Sequence, residues 1–137
     1  MFDASIASEQ EVFDYVIGHL VSQGRQSIDK KAKGGWVPCA YRGENGAKCA
    51  VGALIPDEIY DDGMEGSPVD MLIEQFPREC VITGIIKHAN LLIDLQKLHD
   101  DSRVWRDNGR FKDRVVIIAK NNNLNVPPDA FKFKGKG

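Results

Sequence analysis

Residues 84–101, with the sequence GIIKHANLLIDLQKLHDD, are the stretch that decides the fold class. β-Branched residues crowd its beginning and favour a strand, but apolar residues then recur three or four positions apart, which is the spacing of one buried helix face. The helical spacing persists for longer and therefore predominates. We predict a long helix over about 84–101, with an inward face made of Ile85, Ile86, Ala89, Leu91, Leu92, Leu95 and Leu98.

Three further segments predict helices around the same core. Ser8 and Glu11 have the spacing of a capping box, and Gly24 suits a left-handed C-cap, so a first helix lies between them. A second helix begins after the cap signal at Ser67 and ends before Pro77. Another helix is predicted over about 109–121.

The segment between the first two helices contains the signals of a hairpin. Glycine and asparagine at positions 43–46 are the residues that tight turns prefer. The predicted fold is therefore α+β, mainly α, with about four principal helices around one core and a small β-hairpin. We expect one globular domain over 1–128 and a basic, flexible tail over 129–137.

Composition limits the classes of partner. The chain has 137 residues, of which 42% are hydrophobic and 28% charged, as in ordinary globular proteins. A net charge of −2 offers no overall attraction to nucleic acid, so non-specific binding to nucleic acid is not expected. No apolar run approaches the ~20 residues of a membrane span. The three cysteines and a start without a secretory leader indicate a cytoplasmic protein.

A dense motif occupies residues 39–60 and reads C-x-Y-R-G-x-x-G-x-K-C-A-x-G-x-L-I-P-D-x-x-Y. Together with residues 64–66 (MEG), Leu91 to Asp100 and Trp105, it resembles an uncharacterised family of small phage and prophage proteins. The resemblance covers most of residues 12–120 and departs from the family in the basic loop before Trp36 and in the lysine-ended tail. It implies an origin in a phage or an integrated element and a role in the host cell that is accessory to infection, and it brings no catalytic residue with it.

The motif offers a candidate binding surface. Arg42 and Lys48 flank the turn, and with the rings of Trp36 and Tyr41 they could hold a phosphate and stack a base, as in a nucleotide or another anionic small molecule. The alternative is that Arg42 only forms an ion pair with Glu44, Asp57 or Glu58. For a protein partner, the docking surface would also include the acidic flank Asp57, Glu58 and Tyr60.

The cysteines leave three alternatives open. Cys39 and Cys49 would be near neighbours across the hairpin, as packed free thiols, as a redox pair, or as ligands of a zinc site completed by His88 or His99. Nine residues separate the two cysteines, whereas zinc motifs place two to four between them. Cys49 could also be a nucleophile beside Lys48, with His99 as base and Asp100 as its orienter. The competing reading places His99 and Asp100 at a helix end for structural reasons.

These patterns favour binding over turnover. The first hypothesis is a phage accessory protein that inhibits or redirects a host protein, including a defence protein. The second is a binder that sequesters a nucleotide signal, and the third is a cysteine-dependent enzyme that uses Cys49, His99 and Asp100. No cofactor is predicted.

Overall fold

The computed structural model describes residues 2–28 and 39–131, and this part of the chain forms five α-helices joined by turns. Helix α4 is central, because it packs against α1, α2 and α5. The helices are α1 (Glu9–Gln23), α2 (Val69–Gln75), α3 (Pro77–Thr83), α4 (Ala89–Asp100) and α5 (Asn108–Asn121). Short 3-10 turns lie at Glu44–Gly46, Gly52–Leu54, Asp62–Met64 and Ser102–Trp105.

Helix α1 confirms its predicted caps. The Ser8 hydroxyl accepts a hydrogen bond from the Glu11 backbone at 3.1 Å, and the Glu11 carboxylate accepts one from the Ser8 backbone at 2.9 Å. Gly24 ends the helix in the left-handed region with φ 70°. The buried face is the predicted apolar stripe: Val12, Phe13, Val16, Ile17, Leu20 and Val21.

The middle of the chain holds one more helix than predicted. Pro77 does not end helical structure there; it is the first residue of α3, where its missing N–H leaves no helical bond unmade. Gly84, with φ 80°, then ends α3, and residues 84–88 form turns before α4 begins at Ala89. The prediction of four principal helices is therefore wrong, and so is the start of the long helix at 84.

The predicted α+β class is also wrong. Within residues 2–28 and 39–131 the structure has no β-strand or sheet, and so no β-hairpin, and the protein belongs to the helical class. Two isolated antiparallel bridges, Ile28 with Cys39 and Arg42 with Lys48, are the nearest approach to strand pairing in this part of the chain.

The hairpin fails to form because its backbone donors bind elsewhere. The N–H groups of Tyr41 and Arg42 both donate to the carboxylate of Glu65, and the N–H of Lys48 donates to the side-chain oxygen of Gln23. A ladder needs those groups to face the opposite arm. Side chains from distant parts of the sequence therefore replace the cross-strand bonds.

The core is continuous from Ala4 to Ala119 and is built on the α4 leucines, which are fully buried. The loop segment after residue 39 packs closely on this core. A Cβ atom at Gly52 would lie 2.1 Å from the Tyr41 carbonyl oxygen, so only glycine fits there. None of the helices in the described ranges is long and apolar enough to cross a bilayer.

The beginning of the predicted tail packs against the core. The ring of Phe131 meets that of Phe111 edge-on, with 6.4 Å between centroids. Ala130 is also partly buried. Residues 132–137, the remainder of the predicted flexible tail, lie outside the described residues.

Candidate functional site

The guanidinium of Arg42 is held on three sides. Its Nη1 lies 2.5 Å from Oδ1 of Asp57, its Nη2 donates to the Ile55 carbonyl at 2.5 Å, and its Cζ lies 4.8 Å from the ring centroid of Tyr60. The hydrogen bond from Arg42 lowers the pKa of Asp57. The guanidinium of Arg42 is thus already oriented by the protein, and its charge is paired with that of Asp57.

Lys48 lies beside the same carboxylate. Its Nζ is 4.0 Å from Oδ1 of Asp57, and its side chain is about one third exposed, at 35%. The two predicted cations therefore share one acid, and the group carries a single excess positive charge. This leaves little field with which to concentrate a multiply charged anion.

Glu65 is the hydrogen-bond acceptor that holds the backbone of residues 41–42 in place. Its carboxylate accepts the backbone N–H groups of Tyr41 and Arg42 at 2.9 and 3.0 Å, and the hydroxyl of Tyr60 at 2.5 Å. The pKa of Tyr60 is raised mainly by burial, and the hydrogen bond to Glu65 is the second cause. Sequence reasoning did not select Glu65 for the site, although its MEG segment belongs to the resemblance to phage proteins.

The seven predicted binding residues have different outcomes in the structure. Arg42, Lys48, Asp57 and Tyr60 come together as described. Tyr41 is buried and its hydroxyl donates to the carbonyl of Ser67, so its ring is not a free stacking surface. Glu58 is exposed, and Trp36 lies outside the described residues.

The cysteines are protonated thiols at neutral pH. Burial raises the pKa of Cys49 to about 12, and this side chain has no exposed surface. Burial and the neighbouring Asp100 carboxylate raise the pKa of the half-buried Cys39 to about 12 as well. The nucleophile in cysteine chemistry is the thiolate, so neither residue is activated. Cys80 is a third free, buried thiol.

His99 is a buried neutral imidazole whose tautomer the structure fixes. The backbone N–H of Ser27 lies 2.8 Å from Nε2, and because an amide N–H can only donate, Nε2 must accept. The proton therefore sits on Nδ1, which donates to Oδ1 of Asp100 at 2.8 Å. Trp105 donates its indole N–H to the His99 carbonyl at 2.8 Å, which adds a further hydrogen bond to this network.

This tautomer bears on the predicted metal site. Cys39, His99 and Asp100 bring potential ligand atoms within 4.8 Å of one another, whereas Cys49 and His88 are not part of this group. The Nε2 lone pair is already used by Ser27 and Nδ1 carries the proton. A metal on Nδ1 would move that proton to Nε2, where it would face the Ser27 donor. The geometry therefore favours a hydrogen-bonded network over a metal centre.

His88, the other proposed zinc ligand, lies at the opposite end of α4. It is the N-cap residue of that helix and is buried, and its Nε2 lies 3.2 Å from the carbonyl oxygen of Ala4. A helix of 12 residues separates it from the end where His99 lies. It cannot complete a site with the cysteines of the motif.

A cleft of about 300 Å³ opens beside the network. Among the described residues that line it, the charged groups are carboxylates and not cations, so this lining is unsuited to the anionic ligand expected from the sequence. Asp100 at its floor already accepts hydrogen bonds from His99 and from Gln96, the latter at 3.1 Å. The lining residues include Cys39, Tyr41, Glu65, Gln96 and Asp100.

A separate surface feature is a group of exposed aliphatic side chains, which we call the apolar patch: Ile6, Val81, Ile82 and Ile86, with 80%, 59%, 53% and 41% of their surface exposed. The N-terminal segment lies on the turn after α3, because a Cβ at Gly84 would be 2.4 Å from the Ala4 backbone. Lys87 and His88 also contact the backbone carbonyls of Ala7 and Ala4, so the segment that carries Ile6 lies against the turn that carries Ile86. Ile86 was predicted to face inward; it faces out because residues 84–88 are turns and not helix.

Comparisons with known proteins return no match, whether to a family model, to a curated protein or to a solved structure. The resemblance to phage proteins noted in the sequence therefore stays a prediction.

Proposed function

We propose that this protein acts by binding a protein partner through the apolar patch. The observation that carries the proposal is the exposure of four large aliphatic side chains around one turn. Burying each such side chain is worth about 1.5–3 kcal/mol, so an exposed cluster of this kind is typical of interaction sites. The four side chains have 41–80% of their surface exposed, so a partner that covers the patch would gain the corresponding part of that free energy.

The resemblance to phage proteins suggests the setting. In this proposal the partner is a host protein, including a defence protein, and binding inhibits or redirects it. The central motif then has a supporting role. Its cations and carboxylates hold one another, and its hydrogen bonds tie residues 41–48 to Glu65 and to Gln23 of α1.

The two other hypotheses have weaker support. A nucleotide binder would need Arg42 and Lys48 to be available, and both lie against Asp57. A cysteine enzyme would need a thiolate, and the pKa of Cys49 is raised to about 12 by burial. His99 also lacks a free nitrogen lone pair with which to accept a proton from a thiol.

The test compares two matched substitutions. Ile82 and Ile117 are both 53% exposed, but only Ile82 belongs to the apolar patch. Affinity-tagged full-length protein, Ile82→Gln and Ile117→Gln are used to capture proteins from nuclease-treated lysate of bacterial host cells. The proposal expects wild type and Ile117→Gln to retain the same partner in equal amounts, and Ile82→Gln to retain at least about tenfold less.

Thermal unfolding of each variant checks that the fold survives the substitution. The proposal fails if the wild type retains no partner. It also fails if a partner is retained equally by Ile82→Gln, since binding would then use another surface.

A further inference from the structure

The charges of this chain are unevenly distributed. Residues 102–137 contain nine lysines and arginines against three aspartates, a formal charge of +6, whereas residues 1–101 carry −8. The overall value of −2 hides this separation. The nine cations are Arg103, Arg106, Arg110, Lys112, Arg114, Lys120, Lys132, Lys134 and Lys136.

Four arginines gather where the Ser102–Trp105 turn meets the start of α5. Arg103 and Arg114 each lie 2.8 Å from Oδ2 of Asp101, so one carboxylate holds both guanidinium groups. Arg110 and Arg114 are one helical turn apart on α5, and Arg106 precedes the N-cap of that helix. We call Arg103, Arg106, Arg110 and Arg114 the basic face.

Two members of the basic face have their charge available. Arg106 and Arg110 are exposed, and neither forms an ion pair with any residue in 2–28 or 39–131. Within the described chain the guanidinium of Arg106 makes one hydrogen bond, to the hydroxyl of Ser102 at 3.3 Å. Unlike Arg42, these guanidinium groups have no carboxylate partner among the described residues.

The described chain ends against α5. Lys112 lies on α5 with its Nζ 5.6 Å from the ring centroid of Phe131. In the sequence, Lys132, Lys134 and Lys136 follow directly. The sequence therefore adds three more cations after the last described residue.

We propose that the basic face binds the phosphodiester backbone of nucleic acid without regard to base sequence. Each arginine presents a planar fork that matches the oxygens of a phosphate. Several such forks spaced along one surface suit a polymer of phosphates, because every contact releases counterions from the polyanion.

The alternative polyanion is a membrane of anionic lipid. Amphipathic helices that lie on membranes insert an apolar face among the lipids. The main apolar face of α5 is already used, since Phe111, Val115 and Ile118 are buried in the core. Only Val116 and Ile117 remain as exposed aliphatic side chains of this helix, which is a smaller apolar face than helices that insert among lipids present. The geometry therefore favours nucleic acid. This inference is independent of the proposed protein partner, because the basic face and the apolar patch share no residue.

The experiment measures fluorescence anisotropy of labelled DNA, single-stranded and duplex, of about 20 nucleotides, with the full chain over about 25–200 mM NaCl. The test variant is Arg106→Gln/Arg110→Gln. The matched control is Arg78→Gln/Lys87→Gln, which removes the same charge from exposed positions in α3 and in the turn after it. Anionic phosphatidylserine vesicles are the third probe.

The proposal expects wild type to bind DNA with strong salt dependence. Arg106→Gln/Arg110→Gln should bind at least about tenfold more weakly, and the slope of log K against log salt should fall by about two. The control should stay within about twofold of wild type.

Four results would overturn the proposal. They are no DNA binding at the lowest salt, equal weakening by the control pair, binding to vesicles but not to DNA, and binding lost only in Lys132→Gln/Lys134→Gln/Lys136→Gln.

Discussion

The backbone N–H of Ser27 and the Nε2 atom of His99 lie 2.8 Å apart, although 72 positions separate the two residues. This bond attaches the segment after α1 to the C-terminal end of α4. The Nδ1–H of His99 donates to the Asp100 carboxylate, and this carboxylate also accepts a hydrogen bond from the Cys39 thiol. One imidazole thus links three parts of the chain that hydrophobic contacts alone would hold less specifically.

Removing this imidazole should destabilise the protein. In His99→Ala the Ser27 N–H is left unpaired and a cavity forms beside Trp105, so we expect the free energy of unfolding to fall by about 2–4 kcal/mol. His99→Gln should lose less, because an amide oxygen can still accept from Ser27. Urea denaturation measures both. Equal losses in the two variants would contradict the assigned role of Nε2.

Among the carboxylates that contact the motif, Glu65 should contribute most to the free energy of unfolding. Glu65→Ala leaves two backbone N–H groups and the Tyr60 hydroxyl without their acceptor, at a cost of about 2–4 kcal/mol. Glu58→Ala is the matched control, since Glu58 is exposed. We expect the control to change the urea midpoint little. A similar effect of both substitutions would mean that the Glu65 contacts are not formed in solution.

Arg42 and Asp57 should contribute unequally to stability although they form one ion pair. Arg42→Ala also removes the bond to the Ile55 carbonyl and the contact with Tyr60, so we expect a loss of about 1–3 kcal/mol. Asp57 is exposed, and Asp57→Asn should barely move the thermal midpoint. Differential scanning fluorimetry compares the variants, and a larger shift for Asp57→Asn would refute this order.

The buried thiol of Cys49 should make stability fall in alkali. Its pKa is raised from 9.0 to about 12 in the folded protein, so above pH 9 the unfolded chain loses the proton first and unfolding becomes easier. The stability advantage of wild type over Cys49→Ala should therefore shrink by about 1 kcal/mol between about pH 8 and pH 10.

Val51→Ala serves as the control for this pH dependence. Val51 is also fully buried but does not titrate, so its cost should not vary with pH. Urea unfolding at each pH gives the comparison. A gap between wild type and Cys49→Ala that stays constant over the range would show that the thiol is not protected from ionisation.

The local parts of the fold could be predicted from the sequence. The capping box at Ser8 and the left-handed Gly24 depend on residues within a few positions, and both appear as expected. The leucines of α4 likewise follow from helical spacing. Pro77 misled the prediction because a proline that follows one helix can also begin the next.

The non-local parts could not be predicted. The turn signals at residues 43–46 are real, since Asn45 and Gly46 have positive φ, but whether a turn becomes a hairpin depends on what its flanks pair with. Here the side chains of Glu65 and Gln23 accept the backbone N–H groups on both flanks of the turn, and the local sequence pattern does not predict these contacts. The ion pair of Arg42 with Asp57 was among the sequence alternatives, whereas the contact of Lys48 with Asp57 was not, and the Ser27–His99 contact had no sequence signal.

The position of Asp101 has a consequence for selectivity. Its carboxylate sits between Arg103 and Arg114 before any ligand arrives, so it acts as a built-in competitor for anions. A solitary phosphate would gain little by displacing it. A polymer can first engage Arg106 and Arg110 and then exchange partners at the occupied pair, so this arrangement would favour long polyanions over monomeric anions.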